Sequence, residues 1–84
     1  RISDRPRTFI IDFAEVPFLD STAARMIAVL EHKLGRTGGR LYLSGTGPAE
    51  RRTLISMGLR EPSVRYFASI AEAVAEARQG RIAA

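Results

Sequence analysis

The chain has 84 residues, of which 45% are apolar and 26% are charged, and it carries no cysteine and a formal net charge of +4. This length supports one small domain with a thin core, and the composition is typical of a globular protein. The lack of cysteine excludes disulfides, thiolate metal sites and a cysteine nucleophile, and no apolar stretch approaches the roughly 18 residues that a transmembrane helix requires.

The positive charge is spread along the sequence. The basic residues are almost all arginines, with Lys33 as the single lysine, and they lie scattered between Arg1 and Arg81. Only Arg51 and Arg52 are adjacent, and no basic run alternates with aromatic residues. Nucleic-acid-binding proteins concentrate such residues in one patch or stripe. We therefore predict no nucleic-acid partner, while an anionic membrane surface or an acidic protein remains a candidate.

The first residues resemble the end of a preceding segment. The chain has no initiator methionine, and Pro6 disfavours a helical conformation at the residue before it. We therefore expect residues 1–84 to be a single domain that is truncated at its amino-terminal end.

The first strand is predicted over Thr8-Phe9-Ile10-Ile11-Asp12-Phe13, a nearly continuous apolar run typical of a strand buried on both faces. After a loop, Asp20-Ser21-Thr22 offers three consecutive residues of the types that cap helices. The helix that follows is predicted to end at Gly35 or at Gly38-Gly39, because glycine adopts the left-handed conformation needed there. Its apolar face repeats at helical spacing and consists of Ala23, Ile27, Leu30 and Leu34.

A second strand and helix follow in the same order. Leu41-Tyr42-Leu43 predicts a short strand, and the loop after it leads to Pro48. Proline suits the first position of a helix, where its missing N–H costs nothing. The helix is predicted to continue to Met57 and to end in a Schellman motif at Gly58-Leu59.

The third strand is predicted over residues 64–67. Ser69 and Glu72 form a capping box for the last helix, which is expected to end near Gly80. Strict alternation of apolar strands and helices predicts an α/β domain with a mostly parallel small sheet backed by helices. Three such strands leave two open edges, so we expect upstream strands to complete the sheet.

Few residues suggest catalysis. His32 is the only histidine, and it lies among charged residues on the predicted solvent face of its helix. Asp12, Glu15 and Asp20 could gather at the carboxyl end of the first strand, but their spacing matches no metal-binding motif. We therefore predict no catalytic residue, no cofactor and no metal site.

The turn Gly45-Thr46-Gly47 resembles half of a phosphate-binding loop. It lacks the third glycine and the lysine of the P-loop pattern, and a tight turn into a helix explains the same residues. A helix N-terminus nevertheless tolerates an anion, and Arg51 lies close to it in the sequence. Nucleotide or anion binding by Gly45, Thr46, Gly47 and Arg51 is therefore a secondary hypothesis.

The sharpest feature is the pair of hydroxyls, Ser21 and Thr22, directly after an acidic residue at the start of a helix. Capping alone explains one of these three residues. The alternative is an exposed hydroxyl that accepts a phosphate, which would add nearly two negative charges beside Asp20 and repel an acidic partner. Together with Arg25, these residues form the predicted partner-binding or anion-binding surface.

The segment Ile10–Ala24, IIDFAEVPFLDSTAA, resembles the signature of STAS domains, which occur in sulfate permease (SulP) anion transporters and in anti-sigma-factor antagonists. The resemblance continues through Gly39–Gly45, Leu54–Leu59 and Tyr66–Ala73, so it covers nearly the whole chain from Thr8. It implies the STAS fold, a small sheet backed by helices, of which the opening strands and first helix have no counterpart here.

The resemblance implies two functions. Val16-Pro17 and Phe67-Ala68-Ser69 are closer to the transporter branch, which implies a non-catalytic regulatory domain at the cytosolic carboxyl end of a SulP-type anion transporter. Its partner would be the transmembrane domain of that transporter or a cytosolic regulatory protein. The alternative is an anti-sigma-factor antagonist, in which an anti-sigma kinase would phosphorylate Thr22, with Ala23 where the family usually has glycine. The open strand edges add a homodimer to the candidate assemblies.

Overall fold

The computed structural model describes residues 7–83, which form three strands and three helices in alternation. In chain order these are β1 (Thr8–Asp12), α1 (Ser21–Arg36), β2 (Arg40–Ser44), α2 (Pro48–Ser56), β3 (Val64–Phe67) and α3 (Ile70–Ala83). Each predicted strand and helix therefore has an observed counterpart. Within these residues, no helix combines the length and the apolar character that crossing a membrane requires.

The three strands are parallel and lie side by side in chain order, β1-β2-β3. The register pairs Thr8 with Arg40 and Leu41 with Val64. All three strands therefore begin at one end of the sheet, which we call the amino end, and finish at the opposite, carboxyl end. The loops into α1, α2 and α3 all leave from the carboxyl end, so the predicted site residues lie there.

The main core lies between one face of the sheet and the helices α1 and α2. The predicted apolar face of α1 contributes to it through the buried Leu34 and the half-buried Ile27 and Leu30. The fully or nearly fully buried side chains of this core are Phe13, Ala24, Leu34, Leu41, Leu43, Leu54, Leu59 and Val64. Burial of these side chains supplies most of the stabilisation available to so small a domain.

Helix α3 covers the opposite face of the sheet. Successive strand residues point to opposite faces, so Arg65 projects away from the core that its neighbour Val64 enters. The Arg65 guanidinium forms an ion pair with Glu76 of α3, with an N–O distance of 2.9 Å. Ala73 of α3 is fully buried against this face.

Helix α1 ends at Arg36, and Gly38, one of the predicted positions, directly follows its C-cap residue Thr37. Gly38 has a φ of 79°, and the next amide, that of Gly39, donates to the Leu34 carbonyl at 2.7 Å. This is the Schellman arrangement, which requires a left-handed residue and so favours glycine. Gly35 lies inside the helix and does not end it. Helix α2 ends in the predicted Schellman motif at Gly58, with a φ of 88°.

The start of α3 is capped almost as predicted. The Ser69 hydroxyl accepts from the Glu72 amide at 3.2 Å, and the Glu72 carboxylate accepts from the Ala68 amide at 3.3 Å. The return bond therefore lies one residue earlier than in a standard capping box. The expected end near Gly80 is wrong, because α3 continues to Ala83. One glycine costs a helix only about 1 kcal/mol and need not end it.

The expectation that β1 is buried on both faces is wrong. No residue of β1 is fully buried, and the side chain of Phe9 is 41% exposed. Among the described residues β1 has a hydrogen-bonded neighbour on one side only, so its packing is incomplete. The central strand β2 is the deeply buried one, with residues 41–44 all inaccessible to solvent or nearly so.

Candidate functional site

Asp20 caps helix α1. Its backbone is extended, with φ −89° and ψ 170°, and its Oδ1 atom accepts from the Ala23 amide at 2.8 Å. The Asp20 carbonyl also accepts the first helical bond, from the Ala24 amide at 3.1 Å. Of the three cap-type residues in the sequence, Asp20 is therefore the one that starts the helix.

Ser21 and Thr22 occupy the first two positions of α1, and both are exposed. Because Asp20 supplies the cap, neither hydroxyl is needed to start the helix. Both side chains lie at the positive end of the helix dipole, where a negative group such as phosphate is electrostatically favoured. The predicted phosphoacceptor positions are thus accessible, and the prediction that they are modified remains to be tested.

Exposed apolar side chains lie beside these hydroxyls. Thr22, Met26 and Val29 are spaced at i, i+4 and i+7 and so share one face of α1. The side chain of Met26 is 67% exposed and that of Val29 is 50% exposed. Phe18, in the loop two residues before the cap, is also 67% exposed. Together with the exposed Arg25, we call these residues the α1 patch.

The apolar part of the α1 patch was missed by the sequence interpretation. The surface predicted from the sequence consists of polar residues alone, namely Asp20, Ser21, Thr22 and Arg25. The helical spacing did contain the signal, because Met26 lies on the opposite side of the helix from the buried Ala24, and Val29 lies opposite the half-buried Ile27. Scattered single apolar residues on a surface are ordinary, whereas several together at one helix start indicate an interaction surface.

The turn before α2 has a structural explanation for its first glycine. Gly45 has a φ of 68°, and a Cβ atom there would lie 3.0 Å from the Ala14 amide nitrogen and 3.0 Å from Asp12 Oδ1. The Gly45 amide also donates to the Phe67 carbonyl at 3.1 Å. Gly45 thus lets the ends of β1, β2 and β3 pack together, and this close approach requires no bound phosphate.

The remaining residues of this turn come together only in part. Gly47 is the N-cap of α2 without a side-chain cap, and Pro48 follows as expected. A Cβ atom at Gly47 would lie 2.5 Å from the Glu50 Oε1 atom, so a carboxylate already occupies the space beside the helix start. The Arg51 guanidinium lies 4.5 Å from the centre of the Tyr66 ring. An added anion would therefore meet Glu50, and the anion-binding hypothesis for Gly45, Thr46, Gly47 and Arg51 remains a prediction.

The hydroxyl of Tyr66, which lies near this turn, has a raised pKa. Burial raises the pKa of the Tyr66 hydroxyl, and the positive charge of Arg51 lowers it by a smaller amount. The hydroxyl donates a hydrogen bond to the Leu59 carbonyl. The Arg51 guanidinium thus packs on the Tyr66 ring of β3 rather than on the turn.

Two of the three acidic residues near the carboxyl end of β1 have structural roles, namely Asp12 and Asp20. The fully buried Ser44 hydroxyl donates to Asp12 Oδ1 at 2.8 Å, which joins β1 to β2. Asp20 caps α1, and Glu15 is exposed in the loop between them. Across residues 7–83, no three histidine or acidic side chains gather in a group able to hold a metal. His32 is exposed on α1, the position expected for a solvated side chain.

Comparison with known proteins identifies the family. A sequence model of the STAS domain matches residues 1–76, which is most of the 84-residue chain. The parallel three-stranded sheet with three helices is consistent with the STAS fold. None of the curated proteins that were compared matches the chain. The chain belongs to the STAS domain family.

Proposed function

Because the chain is a STAS domain, we propose that it is a non-catalytic regulatory domain that binds a protein partner through the α1 patch. The observation that carries this proposal is the exposed group of Phe18, Met26 and Val29 next to the hydroxyl of Thr22. These side chains contribute little to the core of this domain, so packing alone does not account for them.

The composition of the α1 patch is suited to protein recognition. Aromatic residues and methionine are enriched at the centres of protein interfaces, where they bury apolar area. Methionine also adapts its flexible side chain to different partner surfaces. The polar Thr22 and the charged Arg25 lie beside this apolar group and can provide hydrogen bonds at its rim. A partner that covered the patch would therefore find both apolar area and specific polar contacts.

The first candidate for the whole protein is a SulP-type anion transporter, with this domain at its cytosolic carboxyl end. The support is the resemblance of Val16-Pro17 and Phe67-Ala68-Ser69 to the transporter branch of the family. The net charge of +4 also suits a domain beneath an anionic membrane leaflet. The partner in this case is the transmembrane domain of the transporter or a cytosolic regulatory protein.

The second candidate is an anti-sigma-factor antagonist that switches partners on phosphorylation. The observation that favours it is the exposure of Thr22 at the second position of α1, with its cap provided by another residue. A phosphate on Thr22 would be favoured by the helix dipole and would add negative charge in the middle of the α1 patch. Repulsion from an acidic partner surface would then release the complex.

The coding region upstream of Arg1 separates these two candidates. A transporter predicts many apolar stretches of about 20 residues each before this domain. An antagonist predicts a start codon a short distance upstream and no such stretch. Absence of both features would contradict both assignments of the whole protein.

The role of the α1 patch in a transporter is tested by Met26→Glu in cells that express the full-length protein. We expect anion uptake to change several-fold, because a charge in the patch disrupts the regulatory contact. The matched control is Ile70→Glu, since Ile70 is 48% exposed at the start of α3, outside the patch. Equal uptake by both variants and the unaltered protein would contradict the proposal.

The antagonist alternative is tested by incubating the chain with anti-sigma kinases and labelled ATP. We expect Thr22→Ala to abolish incorporation of phosphate, while Ser21→Ala retains it. Phosphate incorporation that persists in Thr22→Ala would contradict the assignment of Thr22 as the phosphoacceptor.

A further inference from the structure

Each strand of the sheet begins beside an exposed arginine. Arg7 immediately precedes β1, and Arg40 is the first residue of β2. The Arg60 carbonyl accepts from the amide of Val64, the first residue of β3, at 3.1 Å. Because the strands are parallel, these three arginines lie together at the amino end of the sheet.

Helix α1 ends at the same place and adds two more basic residues. Lys33 and Arg36 lie in its last turn, and both are exposed. The helix dipole favours basic residues at a helix C-terminus, which is a sufficient explanation for these two. It does not explain the arginines at the three strand starts. We call the whole group the basic end, and it consists of Arg7, Lys33, Arg36, Arg40 and Arg60.

The acidic residues are distributed in the opposite way. Most of those in the described part of the chain lie toward the carboxyl end of the sheet, namely Asp12, Glu15, Asp20, Glu50 and Glu72. Near the basic end are Glu61, beside Arg60, and the half-buried Glu31. Among the side chains of residues 7–79 the one ion pair joins Arg65 to Glu76, so no carboxylate in that range forms an ion pair with the basic end.

We propose that the basic end binds an anionic lipid surface. Clusters of basic side chains are attracted to anionic lipid headgroups, with a contribution of about 1 kcal/mol for each charge near the surface. The five charges come from four separate segments at one end of the domain, so they can approach a flat surface together. Binding of this kind requires no pocket and no specific contact.

Nucleic acid fits the basic end less well than lipid does. Proteins that read DNA insert a helix or a β-ribbon into a groove, commonly with the first turns of the helix facing the bases. Here α1 ends at the basic end rather than beginning there, and the strands begin without projecting as a ribbon. The arrangement offers charge without an element that enters a groove.

This inference is independent of the proposed function, because it uses the end of the sheet opposite to the start of α1. It does affect the choice of partner for the α1 patch. With the basic end on a lipid surface, the start of α1 lies at the far end of the helix from the membrane. That orientation favours a cytosolic protein over a transmembrane domain as the occupant of the patch.

The test is sedimentation of the purified 84-residue chain with lipid vesicles. We expect binding to vesicles of phosphatidylcholine mixed with phosphatidylglycerol, no binding to pure phosphatidylcholine, and loss of binding as salt increases. The variant Arg36→Gln/Arg40→Gln is expected to bind about 25-fold more weakly, since each lost charge accounts for about fivefold. The control Arg25→Gln/Arg52→Gln removes the same net charge from the other end and is expected to bind as the unaltered chain does.

Three results would overturn the proposal. These are no binding to the mixed vesicles at low salt, an equal loss in the two double variants, and a preference for double-stranded DNA over the mixed vesicles at the same salt concentration. Thermal melting by circular dichroism identifies any variant that fails to fold, and Arg7→Gln/Arg60→Gln then replaces it. The lipid and salt dependence of the unaltered chain requires no variant.

Discussion

Helices α1 and α2 both begin at the carboxyl end of the sheet, yet they begin in different ways. Helix α1 has a side-chain cap from Asp20, followed by two exposed hydroxyl residues. Helix α2 has no side-chain cap and begins at Gly47 and Pro48, after the left-handed Gly45. A side chain therefore caps the start of α1, whereas α2 starts through backbone conformation alone.

The difference shows which residues at the carboxyl end are not required by the fold and can therefore serve in binding or modification. At the start of α2, Gly45 is required by close packing against Ala14, so its substitution affects the fold. At the start of α1, one residue suffices for the cap, and Ser21 and Thr22 are left free. A partner or a phosphate can therefore use α1 at little cost to stability, whereas the turn before α2 is fixed by packing.

The largest expected effect is that of Gly45→Ala. A left-handed alanine costs about 1–2 kcal/mol, and its Cβ atom would also press on the Ala14 backbone, for a total of about 3 kcal/mol of stability. The matched control is Gly38→Ala, where φ is also positive but no atom lies within 4 Å of the added Cβ. We expect that variant to lose only about 1 kcal/mol. Equal losses in denaturant unfolding would show that packing against Ala14 is not the reason for the glycine.

The link between β1 and β2 is expected to respond asymmetrically to substitution. Asp12→Ala leaves the fully buried Ser44 hydroxyl without its partner and should cost about 2 kcal/mol. Ser44→Ala leaves an exposed carboxylate that water can solvate, and should cost about 1 kcal/mol. Urea unfolding of both variants checks the order. A larger loss for Ser44→Ala would contradict the burial argument.

The two helix starts themselves can be compared by exchanging their caps. Asp20→Ala is expected to cost about 1 kcal/mol, while Asp20→Asn keeps the acceptor and costs little. Gly47→Ser adds a side-chain cap that α2 lacks, and should gain a few tenths of a kcal/mol. Thermal unfolding of the three variants is the measurement. No loss in Asp20→Ala would mean that Ser21 or Thr22 can take over the cap.

The smallest expected effect concerns the pH dependence around Tyr66. Burial raises its pKa above the ordinary value of 10.0, so the folded state holds the proton more tightly than the unfolded state. The stability from this shift is present below pH 10 and is lost as pH rises through the folded pKa. Arg51→Ala should raise the Tyr66 pKa further, because the charge of Arg51 lowers it. Ultraviolet absorbance titration measures the pKa of the tyrosines, and Tyr66→Phe identifies the contribution of Tyr66. A lower Tyr66 pKa in Arg51→Ala than in the unaltered chain would contradict the placement of Arg51 beside the Tyr66 ring.

The order of elements and most of their ends were predictable from local chemistry. Gly58, Pro48 and Ser69 mark helix ends because their backbone or side-chain properties act within a few residues. The exposure of Phe9 was not predictable in the same way. An apolar run indicates a strand, but the number of strands beside it depends on contacts between distant parts of the chain.

The candidate site was predictable in its polar part only. The sequence showed three cap-type residues but could not decide that Asp20 takes the cap, since all three side chains are suitable. The link from Ser44 to Asp12 was missed because it joins residues 32 positions apart. The exposed Met26 and Val29 were present in the helical spacing, yet their exposure depends on where β2 and α2 pack against α1.

The most direct test of the central claim is site-specific photo-crosslinking in cells that express the full-length protein. A photoreactive residue at Met26 and, in a second variant, at Ile70 compares the α1 patch with an exposed apolar position on α3. We predict one defined adduct from position 26 and none from position 70, and mass spectrometry of the adduct identifies the partner. Adducts from both positions alike, or from position 70 alone, would contradict the assignment of α1 as the interaction surface.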